Sequence, residues 1–198
     1  MERLKAVCVY CGSGRGDAPE FLEAARTMGR IMARNEVTVI YGGGRLGLMG
    51  AVADGALDAG GKVIGVIPGF LRTVEVDHPG VTELIVTPNM HRRKAEMFRR
   101  ADGFIILPGG LGTLEEMLEM LTWRQLRQHD KPIVLVNIRD YWRPLVDLFQ
   151  NTIARGFANP SVTRLWQTVD HVNQALPALR AALPPEEKEE AYPAEFDK

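Results

Sequence analysis

Residues 103–126 read GFIILPGGLGTLEEMLEMLTWRQL. A continuous apolar run, Gly103–Leu107, stops at Pro108-Gly109-Gly110, and an amphipathic pattern follows within a few residues. Such a run suits a strand buried on both faces, and the glycines suit a tight passage into a helix. The same unit recurs along the chain. Strands are predicted near Leu4–Tyr10, Val37–Tyr41, Lys62–Ile67, Glu83–Thr87, Gly103–Leu107, Pro132–Asn137 and Leu165–Thr168. Helical patterns lie between and after them, near Pro19–Arg34, Gly47–Ala59, Met90–Ala101, Leu114–Arg127, Tyr141–Gly156 and Val172–Leu183. Strict strand–helix alternation predicts an α/β fold, a Rossmann-like three-layer α/β/α arrangement with a mostly parallel sheet.

The 198 residues, 45% apolar and 25% charged, have ordinary globular composition and suffice for one domain with a sizeable core. Residues 1–183 are expected to form that single Rossmann-like domain, and residues 184–198 an acidic, disordered tail. The tail carries six acids and two lysines of a chain whose net charge is −1, which leaves the body at +3. That balance suits a small anionic ligand and falls short of a nucleic-acid footprint. No run approaches the roughly 18 apolar residues of a membrane span. The chain enters the strand LKAVCVY almost at once, so no export signal is expected. With two cysteines besides, the expected location is cytoplasmic.

In parallel sheets ligands bind beyond the carboxyl ends of the strands. Four segments belong there: CGSGRGD from Cys11, YGGGRLGLMG from Tyr41, PNMHRRK from Pro88 and PGGLGTLEE from Pro108. They are expected to converge on one cleft, with Pro68–Thr82 as a candidate binding loop. Gly42–Gly47 matches GxGxxG, but it follows the second strand, and twenty residues past Gly47 stands Ile67 where a ribose-binding acid is needed. Its plain reading is a tight turn with close helix–sheet packing. Cys8 and Cys11 form a CxxC along a strand, where positions three apart face opposite sides, so core packing is expected of both. His78, His91, His129 and His171 show no metal-ligand spacing. No metal and no cofactor is expected.

Met90-His91-Arg92-Arg93-Lys94 opens a helix with Asn89 as its expected N-cap. Cations in a first turn oppose the helix dipole. A solvated face accounts for Arg92; Arg93 and Lys94 call for an anionic ligand or a carboxylate across the cleft. Two roles are open to Glu116. Thr113 followed by Glu116 fits a capping box, with Glu116 folded back on the Thr113 backbone. Alternatively, Glu116 acts beside an anion held by the glycine loop one turn away. Leu114, Met117, Leu118 and Leu121 are the expected buried stripe, which puts Glu115, Glu116 and Glu119 on other faces.

Pro108-Gly109-Gly110-Leu111-Gly112-Thr113-Leu114-Glu115-Glu116 and Met90–Lys94 together resemble the LOG ("Lonely Guy") family of cytokinin riboside 5′-monophosphate phosphoribohydrolases, often mislabelled lysine decarboxylases. The family pattern PGGxGTxxE is met in full, and the likeness runs from Cys8 through Gly156. The resemblance implies hydrolysis of the N-glycosidic bond of an N6-modified adenosine 5′-monophosphate to free base and ribose 5-phosphate. It implies Arg93 and Glu116 as the catalytic pair. Substrate contacts would fall on Glu75, Arg93, Lys94, Gly110, Leu111, Gly112, Thr113, Leu114, Glu115, Glu116 and Thr122. It further implies a homodimer with the site completed near the subunit interface. The rival reading is a nucleotide-binding sensor module on the same scaffold that holds a nucleotide without cleaving it.

Overall fold

The computed structural model describes residues 4–72 and 76–183. Seven strands form one sheet: β1 (Ala6–Tyr10), β2 (Thr38–Tyr41), β3 (Val63–Pro68), β4 (Glu83–Thr87), β5 (Gly103–Ile106), β6 (Ile133–Val136) and β7 (Gln167–Val169). Their spatial order is β4-β3-β2-β1-β5-β6-β7, and every neighbouring pair is parallel. Six α-helices alternate with them: α1 (Pro19–Arg34), α2 (Gly47–Asp58), α3 (Met90–Arg100), α4 (Leu111–Gln125), α5 (Arg143–Ala154) and α6 (Ala175–Ala181).

The period-two alternation of the strands feeds two separate cores. Val7, Val9, Val39, Ile105, Leu107 and Val134 pack on one face with α1, α2 and α6. Cys8, Tyr10, Ile40, Phe104, Ile106 and Leu135 pack on the other, against Met97 and Phe98 of α3 and Met117, Met120 and Leu121 of α4. Cys8 and Cys11 fall in different cores, as residues three apart on a strand must. Burial pushes both thiols well above their ordinary range, the Glu116 carboxylate adding to the effect, so neither is a ready thiolate.

Three helix starts differ from expectation. α4 starts at Leu111, three residues early, because Gly110 adopts the extended N-cap backbone itself and no side chain caps the helix. Thr113 is therefore the third residue of α4 and not its cap, so the capping box with Glu116 does not form. α5 starts at Arg143, after Arg139 and Asp140 take left-handed backbone angles (φ 54° and 57°) that no helix continues. The expected helix from Val172 splits into a 3₁₀ turn, Val172–Gln174, and α6.

The chain order along the sheet reverses at β1. From β1 it steps outward through β2, β3 and β4, then α3 carries it back so that β5 pairs with β1 on the other side. The loops after β1 and β5 thus leave a shared point in opposite directions and open a crevice above the sheet.

Candidate active site

The four expected segments do meet above the strand ends, and hydrogen bonds between them fix the arrangement. Gly12 N–H donates to the Pro108 carbonyl at 3.0 Å, and Leu48 N–H to the Gly12 carbonyl at 3.0 Å. Asn89 caps α3 as the sequence suggests, its Oδ1 accepting from Arg92 N–H at 2.9 Å. One position on, the Arg93 side chain turns inward and crosses to three other segments. Its Nε donates to the Val66 carbonyl at 3.0 Å and its Nη2 to the Gly42 carbonyl at 3.4 Å, while Nη1 lies 3.2 Å from Glu116 Oε1. A Cβ at Gly42 would sit 2.2 Å from Nη2, so glycine there makes room for the guanidinium.

Arg93 and Glu116 are 5% and 7% exposed. A buried charge needs a partner of opposite sign and further hydrogen bonds, and this pair has both. The buried face of α4 is Thr113, Glu116, Met117, Met120 and Leu121, with spacings of three, four, seven and eight. Glu116 occupies a core position of the stripe that the sequence assigned to Leu118, and Leu118 is exposed. Its carboxylate is tolerated there because Arg93 arrives from α3 to meet it.

Lys94 is offset in the same way. Its Nζ lies 2.5 Å from Glu115 Oε1 and 3.0 Å from Glu119 Oε1. Burial opposes its charge, but these two carboxylates outweigh it and hold the amine above its ordinary range. Both first-turn cations of α3 that defied the dipole thus face carboxylates on α4. Arg92 is exposed.

Gly109 packs tightly on Thr113, whose Oγ1 would lie 2.1 Å from a Cβ there. Gly110 and Gly112, by contrast, have nothing within 4 Å of a Cβ position. The first N–H groups of α4 have no intrahelical acceptor to reach, and they point out of this open mouth. This uncapped helix start lies about one turn from Glu116. Leu111 is exposed and Leu114 half-buried. Thr122 stands apart, its hydroxyl bonded to the Leu118 carbonyl at 2.7 Å on the exposed side of α4. Glu75 lies outside the described residues.

Residues from the turn after β6 also reach the loop, and sequence reasoning passed them over. Tyr141 Oη donates to the Gly109 carbonyl at 2.7 Å. Arg139 lines a cavity of about 570 Å³ beside the loop together with Gly12, Gly14, Phe21, Leu48 and Tyr141. The available signal was positional: β6 neighbours β5, so its following turn belongs at the same end of the sheet.

Residues 49–179 match a protein family described as "possible lysine decarboxylase". A cytokinin riboside 5′-monophosphate phosphoribohydrolase of Rhodococcoides fascians is 43% identical over 178 residues, 89% of this chain and 90% of that protein. A probable enzyme of the same name from Oryza sativa subsp. japonica is 46% identical over 155 residues, 78% and 70% of the two chains.

The chain belongs to the LOG family.

The LOG motif spans the open mouth of α4 from Pro108 to Glu116, and its arginine is the buried Arg93. The fold is shared more widely. The Moco carrier protein from Chlamydomonas reinhardtii superposes with a TM-score of 0.68 at 26% identity, covering 91% of this chain and 98% of that one. Within the LOG frame, His129 and Lys131 are structural. They lie past the far end of α4, where burial pushes His129 down to about 4 and Lys131 down to about 8. Lys131 Nζ donates to the Phe98 carbonyl at 2.7 Å, and His129 Nε2 lies 3.0 Å from the Met120 carbonyl.

Proposed function

We propose that this LOG-family chain hydrolyses the N-glycosidic bond of an N6-modified adenosine 5′-monophosphate, such as isopentenyl-AMP, releasing the free base and ribose 5-phosphate. The observation that carries this reading is the buried Arg93–Glu116 pair, 3.2 Å apart and one turn from the uncapped start of α4. In it the N–H groups of Gly110 through Thr113 hold the 5′-phosphate at the positive end of the helix dipole. Breaking the bond between C1′ and the base builds positive charge on the ribose ring. The Glu116 carboxylate stabilises that charge and accepts the proton of the water that attacks C1′, while the base nitrogen leaves with the bonding electron pair and takes up a proton from solvent. Arg93 keeps Glu116 aimed; its grip on Val66 and Gly42 keeps Arg93 itself from swinging toward the phosphate. Lys94 adds positive charge near the phosphate side while orienting Glu115 and Glu119.

The decarboxylase description of the matching family fits poorly. Amine chemistry with pyridoxal phosphate needs a lysine that readily gives up its proton. Lys94 is held charged by two carboxylates, and the one lysine pulled down in the described residues, Lys131, sits past the far end of α4 under Phe98.

A second copy of the chain is proposed to complete the site. Leu111, Leu118 and Leu126 lie exposed along one stripe of α4 and its C-cap, and Thr122 lies on that stripe. A homodimer through this face would cover the leucines and bring Thr122 toward bound nucleotide. Light scattering at micromolar concentration checks the assembly. The described helices include none long and apolar enough to cross a membrane.

The reaction is tested by incubating the protein with isopentenyl-AMP, AMP and isopentenyl adenosine, then measuring free base and ribose 5-phosphate. Cleavage of the monophosphates and not of the nucleoside is expected. Equal cleavage of nucleoside and monophosphate contradicts the phosphate site. Tight binding without any cleavage returns the chain to the sensor reading.

A further inference from the structure

The turn between β6 and α5 touches the glycine loop, and no motif residue comes from it. We propose that Tyr141 is a positioning residue: it locks the Gly109–Gly110 peptide with its N–H turned toward the substrate's phosphate. This rests on the reading above that the phosphate binds at the start of α4.

The argument begins with the peptide geometry. Tyr141 Oη donates to the Gly109 carbonyl at 2.7 Å. In a trans peptide the C=O and N–H point in opposite directions. A bond that draws the Gly109 carbonyl toward Tyr141 therefore turns the Gly110 N–H to the other side. The preceding peptide is fixed likewise, by Gly12 N–H on the Pro108 carbonyl at 3.0 Å. Two consecutive carbonyls of the loop are thus pinned from outside it.

Such pinning is needed. A Gly-Gly pair has the backbone freedom to flip the peptide between its residues. The flipped state would present a carbonyl oxygen to the phosphate in place of an N–H. Packing does not prevent the flip on Tyr141's side, where the cavity of about 570 Å³ lies against Gly109 and Gly110.

Tyr141 is itself held in place. Arg139 and Asp140 precede it in left-handed conformations, an arrangement that persists only where its surroundings over-determine it. Asn137 supplies that constraint: its Nδ2 donates to Asp140 Oδ1 at 2.9 Å, and its Oδ1 accepts from Trp142 N–H at 2.8 Å. The Tyr141 ring makes edge contacts with Phe21 and Trp142, with centroids 5.8 Å and 4.8 Å away. The sharp turn thereby aims one hydroxyl at one carbonyl.

Tyr141→Phe removes the hydroxyl and keeps both ring contacts. The expected result is a KM for isopentenyl-AMP raised about tenfold with kcat changed less than about twofold, since the lost contact is made equally before and during reaction. The affinity for ribose 5-phosphate, measured by calorimetry, should weaken by the same factor at an unchanged thermal midpoint. Wild-type KM and wild-type ribose 5-phosphate affinity in the variant overturn the proposal. So does a drop in kcat that tracks a lowered thermal midpoint, which is the mark of a merely structural residue. Failure of the hydrolase reading looks different. A wild-type protein that cleaves nothing, yet binds AMP more tightly than Tyr141→Phe does, keeps the positioning role and loses the reaction. A wild-type protein that binds neither AMP nor ribose 5-phosphate overturns both.

Discussion

Two glycine-rich strand-to-helix junctions stand close together above the sheet, Gly42–Gly47 leading into α2 and Gly109–Gly112 leading into α4, and they use their backbones in opposite ways. The first is packed shut. Gly47 has φ +56°, and a Cβ there would lie 2.2 Å from the Ser13 carbonyl oxygen; at Gly50 it would lie 1.9 Å from that of Arg45. The N–H groups that open α2 are consumed by the neighbouring loop, Leu48 donating to Gly12 and Gly14 and Met49 to Gly12. The second junction is open: no side chain caps α4, and Cβ positions at Gly110 and Gly112 meet nothing within 4 Å. In the first loop glycine serves close packing; in the second it leaves a helix end open. Glycine count and spacing do not distinguish the two. What the first-turn N–H groups already bond to does.

The sharpest test of this contrast is the pair beside the open loop. Glu116→Gln should lower turnover of isopentenyl-AMP by about 10²–10⁴-fold, because the carboxylate opposite the developing ribosyl cation is gone. Gln can still accept from Arg93, so the fold should survive with a loss of about 1–3 kcal/mol. Arg93→Lys should be nearly as severe, since an ammonium cannot reach Val66, Gly42 and Glu116 at once. Near-wild-type turnover in either variant, with folding confirmed by circular dichroism, would reduce the pair to a buried structural bridge.

Next in size is the closed loop. Gly47→Ala combines a left-handed backbone with a clash against the Ser13 carbonyl, so chemical denaturation should show a loss of about 3 kcal/mol. The matching change in the open loop, Gly112→Ala, should leave stability unchanged or raise it by up to about 1 kcal/mol, as Ala is the better helix former. Its cost should appear in binding. A helical Cβ tilts toward the N-terminus and so toward the phosphate, and KM should rise on the order of tenfold. If Gly112→Ala destabilises the protein while KM stays put, the two loops do the same work after all.

The smallest expected effect belongs to Arg92→Ala. Arg92 is exposed beside buried Arg93 on the same helix start, and its loss should change stability and turnover by less than about 0.5 kcal/mol. An effect as large as that of Arg93→Lys would mean that the basic start of α3 acts as a charged surface and not through one aimed guanidinium.

Much of this was legible in the chain itself. Short apolar strands and glycine stops gave away the alternating elements, because a strand buried on both faces and a helix buried on one have different periods. Asn89 announced the start of α3, and two cations just inside that start announced a carboxylate or an anion across the cleft. The start of α4 is not legible as a capping side chain, because Gly110 caps through backbone alone. For Glu116 the sequence leaves two roles open, because its partner lies 23 residues away on a different helix.

Those differences share one cause. Period, caps and turns are set by residues a few positions apart, so the sequence by itself determined the elements, their parallel sheet and the end of the sheet at which the site lies. Sheet order is set by which strand packs beside which. Only the tertiary structure, by returning the chain from β4 to pair β5 with β1, decided that Arg93 would face Glu116. The same folding closed the loop at Gly47 against Ser13 and Gly14, left the start of α4 open, and set Tyr141 on the Gly109 carbonyl. Each of those contacts joins segments far apart in the chain, and no local pattern encodes the energy that selects them.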